Sequence, residues 1–288
     1  MELGAGDLTA FEGRARQINY AAVPQLHFLG DYRRDLPVSL TRMMENAYDW
    51  EHLPFVHPSS FADIALVEQG AWGWRCMAAL PGGGGEQAVE LLVDKQKHYW
   101  ATTVVRGFGE GVQIHTQAAA NRGRAGIAIE VRFYLPHPPE SEQQGLMILA
   151  ALRMQYAKLY DEDEALMTAR QNALDMHRGK TTSLLEHGRD LGLAITMDRE
   201  APNLVKSENG DVVVRWHGGG WIAHQAKCPH MLGPLNNVEV EGGSLVCPWH
   251  GYRFSLSDGR EAEARCPSLK LARLAQDDDG RLLVTSPG

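Results

Sequence analysis

The sequence predicts an α+β chain in two parts: an antiparallel meander closed by one long helix, and then a smaller all-β region. Three observations predict it. Runs rich in β-branched and aromatic residues recur at 62–67, 70–79, 87–94, 98–106, 111–119 and 126–135, parted by glycine-rich or charged turns such as Pro81–Glu86. From about Ser141 to Met176, residues Met147, Leu149, Leu152, Tyr156, Leu159, Leu166 and Met167 form a loose apolar stripe at helical spacing. From Ala201 onward, short β-rich runs return at 203–207, 211–216, 220–224, 244–246, 253–256 and 282–285. A chain of 288 residues can bury two cores, and the boundary falls near 195–202, giving domains over 1–198 and 199–288.

Taken in order, residues 1–36 show no usable period. After Pro37, Ser39 can cap a helix, and Leu40, Met43, Met44 and Ala47 recur on one helical face. That helix is expected to reach about His52 and weaken at Pro54. In the meander the clearest alternation is Ile127, Ile129, Val131, Phe133 and Leu135, which predicts one buried face. Pro136, Pro138 and Pro139 end it. The long helix is expected to be interrupted at the acidic cluster Asp161–Glu164, and 178–200 reads as a connector with a short helical piece.

The net charge of −8 argues against a nucleic-acid partner. The N-terminal residues mix acids and bases without the apolar core of a secretory signal. The longest apolar run, Leu146 to Leu152, is too short to span a bilayer, so no membrane partner is expected. There are four cysteines. Cys76 and Cys266 are open to a disulfide, but the reading preferred is two thiols in a reducing, cytoplasmic setting.

The other two cysteines carry the chemistry. Cys228-Pro229-His230 is answered, after sixteen intervening residues, by Cys247-Pro248-Trp249-His250. Each half offers one thiolate and one imidazole. Such loops can hold a [2Fe–2S] cluster, two cysteines on one iron and two histidines on the other. A Cys₂His₂ zinc site is the alternative, but zinc fingers pair cysteine with cysteine and histidine with histidine, whereas the two types are mixed here. Gly233 and Gly251 come just after the ligands, where the chain must bend tightly. Residues 228–259 resemble a Rieske domain of the oxygenase and ferredoxin type. One departure is visible: where that family has a glycine two residues after the first histidine, this chain has Leu232.

A second constellation lies at 45–57. Asp49 and His52 are three residues apart, so both are expected on one face of the helix, and His57 lies beyond Pro54, where the chain can turn back toward the same point. Two imidazoles and one carboxylate make the facial triad of non-heme Fe(II) oxygenases. A surface helix with two incidental histidines is the plainer alternative. A third ligand has to come from elsewhere, and the acidic cluster Asp161–Glu164 is the candidate, against its reading as a solvated face.

The stretch Glu45-Asn46-x-x-Asp49-x-x-His52-x-x-x-x-His57 closely resembles the catalytic domain of Rieske non-heme iron oxygenases. Pro54-Phe55-Val56-His57 is similar to the monooxygenase and demethylase branch. The resemblance implies a third iron ligand in a Glu-Asp pair with a glutamine eight residues past the Asp. Glu162, Asp163 and Gln171 fit, which makes Asp163 the ligand, with Asp161 as the fallback. It further implies a helix-grip fold (START/Bet v1-like), an antiparallel sheet around a long C-terminal helix. It also implies an aspartate, here Asp49, linking the ligand His52 to a Rieske histidine, here His250, and a homo-oligomer, a trimer. The order of domains is reversed from the family's usual one, and only 105 residues lie between His57 and Asp163.

The expectation is therefore a terminal oxygenase, a Rieske non-heme iron mono- or dioxygenase. Its metal residues are His52, His57 and Asp163 for Fe(II), and Cys228, His230, Cys247 and His250 for the [2Fe–2S] cluster. Asp49 serves beside them as a catalytic residue. The chain has no flavin or nucleotide motif, so electrons come from NAD(P)H through a separate reductase or ferredoxin. The substrate expected is small and hydrophobic or aromatic, to be hydroxylated, demethylated or dihydroxylated with O₂. The rival from another class is a non-catalytic Rieske electron carrier fused to a helix-grip ligand-binding domain. Trp72, Trp74 and Trp100 are assigned to the core or to a substrate pocket. The remaining histidines, His115 and His224 among them, are read as surface or core.

Overall fold

The computed structural model describes residues 3–177, 185–206 and 210–287. Contacts divide the chain into two compact units, Met1–Thr168 and Ala169–Gly288.

The first unit holds α1 (Ala5–Thr9), β1 (His27–Leu36), α2 (Leu40–Tyr48), α3 (Leu53–Val56), β2 (Asp63–Gly70), β3 (Gly73–Ala79), β4 (Glu86–Asp94), β5 (Tyr99–Gly107), β6 (Gln113–Ala120) and β7 (Ile127–Leu135). The long α4 (Glu142–His177) starts in it and runs past its end. The strands form one antiparallel sheet in the order β1-β7-β6-β5-β4-β3-β2. Strands β2 to β7 fall on the six predicted runs, and the sheet with its long helix matches the expected layout. β1 lies in the stretch without a period. Its Asp31, Arg33, Arg34 and Asp35 hide the alternation, yet it pairs with β7 along its whole length.

On one face, Trp74, Leu91, Thr102, Ile114 and Phe133 are successive cross-strand partners from β3 to β7. Helix α4 packs on the inner side of the sheet: Tyr156 meets Phe133 edge-on at 5.2 Å, and Tyr160 stacks on Tyr32 at 6.2 Å. The other face carries a buried ion pair, Arg75 with Glu90, their side chains 3% and 2% exposed. The N-terminal segment lies over it. Arg14 also reaches Glu90 at 2.9 Å, and Arg75 donates to the carbonyls of Arg14 and Ala15 at 3.1 and 3.0 Å.

Four expectations are corrected. Helix α2 is capped by Ser39, whose hydroxyl accepts from Arg42 N, but it stops at Tyr48. Asp49 leaves helical geometry at φ −85°, ψ 83°, so Asp49 and His52 do not share a helix face. Pro54 does not weaken a helix. It sits in the first turn of α3, where a missing N–H costs nothing. The acidic cluster does not interrupt α4, which is continuous through it. Arg34 on β1 pairs with Asp161 at 2.5 Å and Glu164 at 2.6 Å, drawing charge off that stretch of helix.

The second unit holds β8 (Asp190–Leu193), β9 (Asn203–Val205), β10 (Val212–His217), β11 (Gly220–Gln225), β12 (Val240–Glu241), β13 (Ser244–Val246), β14 (Arg253–Ser255), β15 (Leu271–Gln276) and β16 (Arg281–Pro287). They form a six-stranded sheet, β8-β16-β15-β11-β10-β9, and a three-stranded one, β12-β13-β14. Val212, Val214, Trp221, Ala223 and Leu282 lie in its apolar core. β8, β12 and β15 were not read from the sequence. The expected connector over 178–184 and the end of the predicted strand at 207 lie outside the described residues. A 3₁₀ turn at Ala194–Thr196 supplies the short helical piece. Among the described residues no helix is long and apolar enough to cross a membrane.

Candidate metal centres

The first centre is built in the first unit. His52 caps the start of α3, His57 closes its end, and Asp163 comes from α4. All three are buried, and one ligand atom from each lies within 4.8 Å of the others. Both histidines turn Nε2 toward Asp163 Oδ1, His57 at 3.0 Å and His52 at 3.4 Å. Behind each imidazole stands a second carboxylate. Glu162 Oε2 lies 2.7 Å from His57 Nδ1, and Asp49 Oδ2 lies 3.6 Å from His52 Nδ1. This is the carboxylate–histidine–metal arrangement, in which the outer carboxylate fixes the ring and leaves Nε2 free to bind.

Neither ring nitrogen of His52 makes a well-formed hydrogen bond, since Asp163 and Asp49 stand off at 3.4 and 3.6 Å, although the residue is 2% exposed. Orphaned buried nitrogens are costly unless a ligand takes them, so the residues fit a divalent metal. Without one, burial pushes the His52 pKa down, but Asp163 and Asp49 outweigh it and hold it at about 10. His52 and His57 hold the Asp163 carboxyl well below the usual range against its burial. Metal binding must expel the His52 proton, so affinity rises with pH.

A cavity of about 130 Å³ opens on these ligands, lined by Trp74, Trp100, Phe61, Leu91, Tyr156 and Leu159 among others, with Asn46 and Thr102 as neutral polar groups. Trp74 and Trp100 thus serve core and cavity together. Trp72 stands apart, under the guanidinium of Arg75 at 5.0 Å. Of the other motif residues, Glu45 pairs with Arg42, and Gln171 donates to Asp175 at 3.1 Å rather than to the ligands. Asp161 faces Arg34. The role of Glu162 behind His57 was missed: it entered only as half of a Glu-Asp pair.

The second centre is built in the second unit from two loops, one after β11 and one joining β13 to β14. They are the same turn used twice. Cys228 O accepts from Leu232 N at 2.9 Å, and Cys247 O accepts from Gly251 N at 2.8 Å. Cys228 N donates to Gly233 O and Cys247 N to Tyr252 O, both at 2.8 Å. The residue four past each cysteine is left-handed, Leu232 at φ 63° and Gly251 at φ 67°. Leu232 therefore holds a conformation that glycine takes at no cost. Gly233 is required for space: a Cβ there would lie 2.8 Å from Cys247 Sγ.

Cys228, Cys247 and His250 are buried, and the rings of His230 and His250 stand 4.6 Å apart. Tyr252 stacks on His230 at 4.4 Å, with the Arg265 guanidinium 4.0 Å beyond its ring. The Cys228 thiol draws the Cys247 pKa down against burial, with His250 adding to the effect. Two soft sulfurs and two imidazoles in one buried pocket fit a [2Fe–2S] cluster. Cys76, in β3, and Cys266 are both thiols; burial pushes Cys76 up and Cys266 up to about 11.

Residues 191–273 match the Rieske [2Fe-2S] domain. Pheophorbide a oxygenase, chloroplastic, of Oryza sativa subsp. japonica is 34% identical over 86 residues, 28% of this chain and 16% of that protein. Methylxanthine N1-demethylase NdmA of Pseudomonas putida is 29% identical over 77 residues, 27% of this chain and 22% of that protein. The matches thus span less than a quarter of either relative's length. The ferredoxin of carbazole 1,9a-dioxygenase from Nocardioides aromaticivorans IC177 aligns at TM-score 0.30 and 18% identity, over 35% of this chain and 98% of its own. The C-terminal part of this chain is a Rieske [2Fe–2S] domain homologous to members of the Rieske oxygenase family.

Proposed function

We propose that this chain is the terminal oxygenase component of a Rieske system, acting with O₂ on a small hydrophobic or aromatic substrate. The observation that carries this reading is the buried set His52, His57 and Asp163, opening on an apolar cavity, in the same chain as a Rieske domain. Iron(II) held by these three residues would supply O₂ activation, with electrons from NAD(P)H arriving through a separate reductase or ferredoxin and the Rieske cluster. Glu162 and Asp49 orient the two imidazoles. The motif resemblance supports a second role for Asp49, in passing the electron between the two metals. The apolar lining excludes water, and Asn46 and Thr102 orient the substrate. Apolar cavities of about 150 Å³ take up benzene; one of about 130 Å³ suits a single ring or a methyl-bearing group. Hydroxylation, demethylation and dihydroxylation are all consistent with such a site.

A non-catalytic carrier has no use for the first centre. Iron and acid-labile sulfide quantitation separates the two: three irons and two sulfides per chain for the oxygenase, two and two for the carrier. Asp163→Ala is expected to lose the third iron and keep the Rieske spectrum, while Asp161→Ala keeps all three. The reading fails if the parent chain never holds a third iron or consumes no O₂ with any ring-sized substrate.

A further inference from the structure

The second unit buries a cation that no carboxylate answers among the described residues. Arg215, on β10, is 5% exposed. Val212 and Val214 face the apolar core of the sheet, so Arg215, one residue on, projects from the other face. Its Nε donates to His224 Nε2 at 2.9 Å and its Nη2 to Leu235 O at 3.3 Å. Among the described residues no Asp or Glu pairs with it. His224, fully buried on β11, is neutral by geometry. Its Nδ1 lies 2.8 Å from Gln225 O, where it must donate, so Nε2 carries the lone pair that Arg215 uses. The pair keeps a whole positive charge in a place where burial disfavours an uncompensated charge.

Leu235 ends the first cluster loop: its N–H donates to Ala226 O at 2.9 Å, two residues before Cys228. The guanidinium is therefore tied to the base of the loop that supplies Cys228 and His230.

We propose that Arg215 is the fixed charge that sets the reduction potential of the Rieske cluster. With two Fe(III), two sulfides, two thiolates and two neutral imidazoles, the oxidised centre carries no net charge. One added electron, supplied in the titration by dithionite, leaves a charge of −1. A buried cation tied to the base of the first cluster loop stabilises that reduced form, in surroundings where water and salt screen little. The charge that looks unpaired in the fold is paired in one redox state. The inference rests on the Rieske domain and is independent of the mononuclear iron.

The test is a redox titration of the cluster-loaded chain, monitored by visible absorbance, in the parent, Arg215→Lys, Arg215→Gln and Arg215→Met. At a fixed poise the ratio of reduced to oxidised cluster is expected to fall at least threefold in the Gln and Met variants. That is about 28 mV for a one-electron couple at 59 mV per tenfold. Lys, which keeps the charge, is expected to stay within that margin. A residue that only holds the loop would lower thermal stability in all three variants and leave the ratio unchanged, and that result overturns the proposal. If Gln and Met fail to hold a cluster, His224→Glu decides: it sets a carboxylate against an intact Arg215, and a ratio unchanged there is equally fatal.

Discussion

His57 is held from both ends of its ring, by Glu162 at Nδ1 and by Asp163 at Nε2, and the two carboxylates are neighbours in sequence. Glu162→Gln keeps the size and one acceptor but removes the charge that makes the imidazole a better ligand. Iron affinity of the first centre is expected to fall about tenfold to hundredfold, the usual cost of an outer partner. Competition against a graded chelator measures it, with the Rieske absorbance unchanged. Affinity equal to the parent would mean that Glu162 serves only its other neighbour, Lys158 at 3.9 Å. Asp163 could be singled out in the sequence because Glu162, Asp163 and Gln171 resemble a known pattern, a Glu-Asp pair with a glutamine eight residues on. The role of Glu162 was not, since successive helix residues point about 100° apart. Only the width of an imidazole lets both carboxylates reach one ring.

At the scale of elements, the meander was legible because each strand alternates on its own, and α4 because its stripe persists over many turns. β1 was not: it takes its order from β7 and its charges from partners far along the chain. The helix expected through Asp49 failed for a related reason. Nothing local showed that Asp49 would leave helical geometry, yet that turn still brings its carboxylate toward His52. The N-terminal segment is likewise fastened by distant groups. Arg75→Met removes the guanidinium that meets buried Glu90 and the carbonyls of Arg14 and Ala15. Breaking such a pair costs about 3 kcal/mol, the lower end of the range because Arg14 still meets Glu90. The urea midpoint of the first unit is expected to fall, and limited proteolysis within 3–25 to quicken. Unchanged proteolysis would show that the segment is held without Arg75.

At the scale of the whole molecule, each unit buries one neutral histidine away from its ligands. Burial, with Arg132 nearby, pushes His115 down to about 4, where it meets Tyr99 and Gln113. Burial pushes His224 down to about 3. Unfolded, both titrate near 6.5. Below that pH the unfolded chain binds protons that the folded one refuses, so this stability is complete above about 6.5 and drains as pH falls toward 4 and 3. The slope approaches ~1.4 kcal/mol per pH unit for each histidine. Guanidinium unfolding between pH 7.5 and 5 is expected to show it, and His115→Gln to flatten the slope for the first unit alone. An unaltered slope there would place the acid sensitivity elsewhere. The paired Cys-x-His and Cys-x-x-His segments were the most legible feature of the chain, since their spacing and the resemblance of 228–259 both point to the Rieske domain that the family match shows. The repeated turn that presents them was not, because Leu232 stands in it where glycine is expected.

Helix α4 runs unbroken from Glu142 to His177, so the place of Asp163 is counted off from the turns that grip the sheet before it. It acts as a ruler whose acidic marks fall on consecutive gradations, 161 to 164. An alanine inserted between Asp161 and Glu162 advances every later helix residue by about 1.5 Å and turns it by about 100°. Glu162 then arrives where Asp163 now stands, and the histidines meet a glutamate in place of an aspartate. That variant is expected to retain iron in the first centre, bound about tenfold to hundredfold more weakly because alanine then stands behind His57 in place of Glu162, and the same insertion combined with Glu162→Ala to lose it. A slip of one gradation, which would erase most helix-borne sites, here exchanges one ligand for its longer homologue.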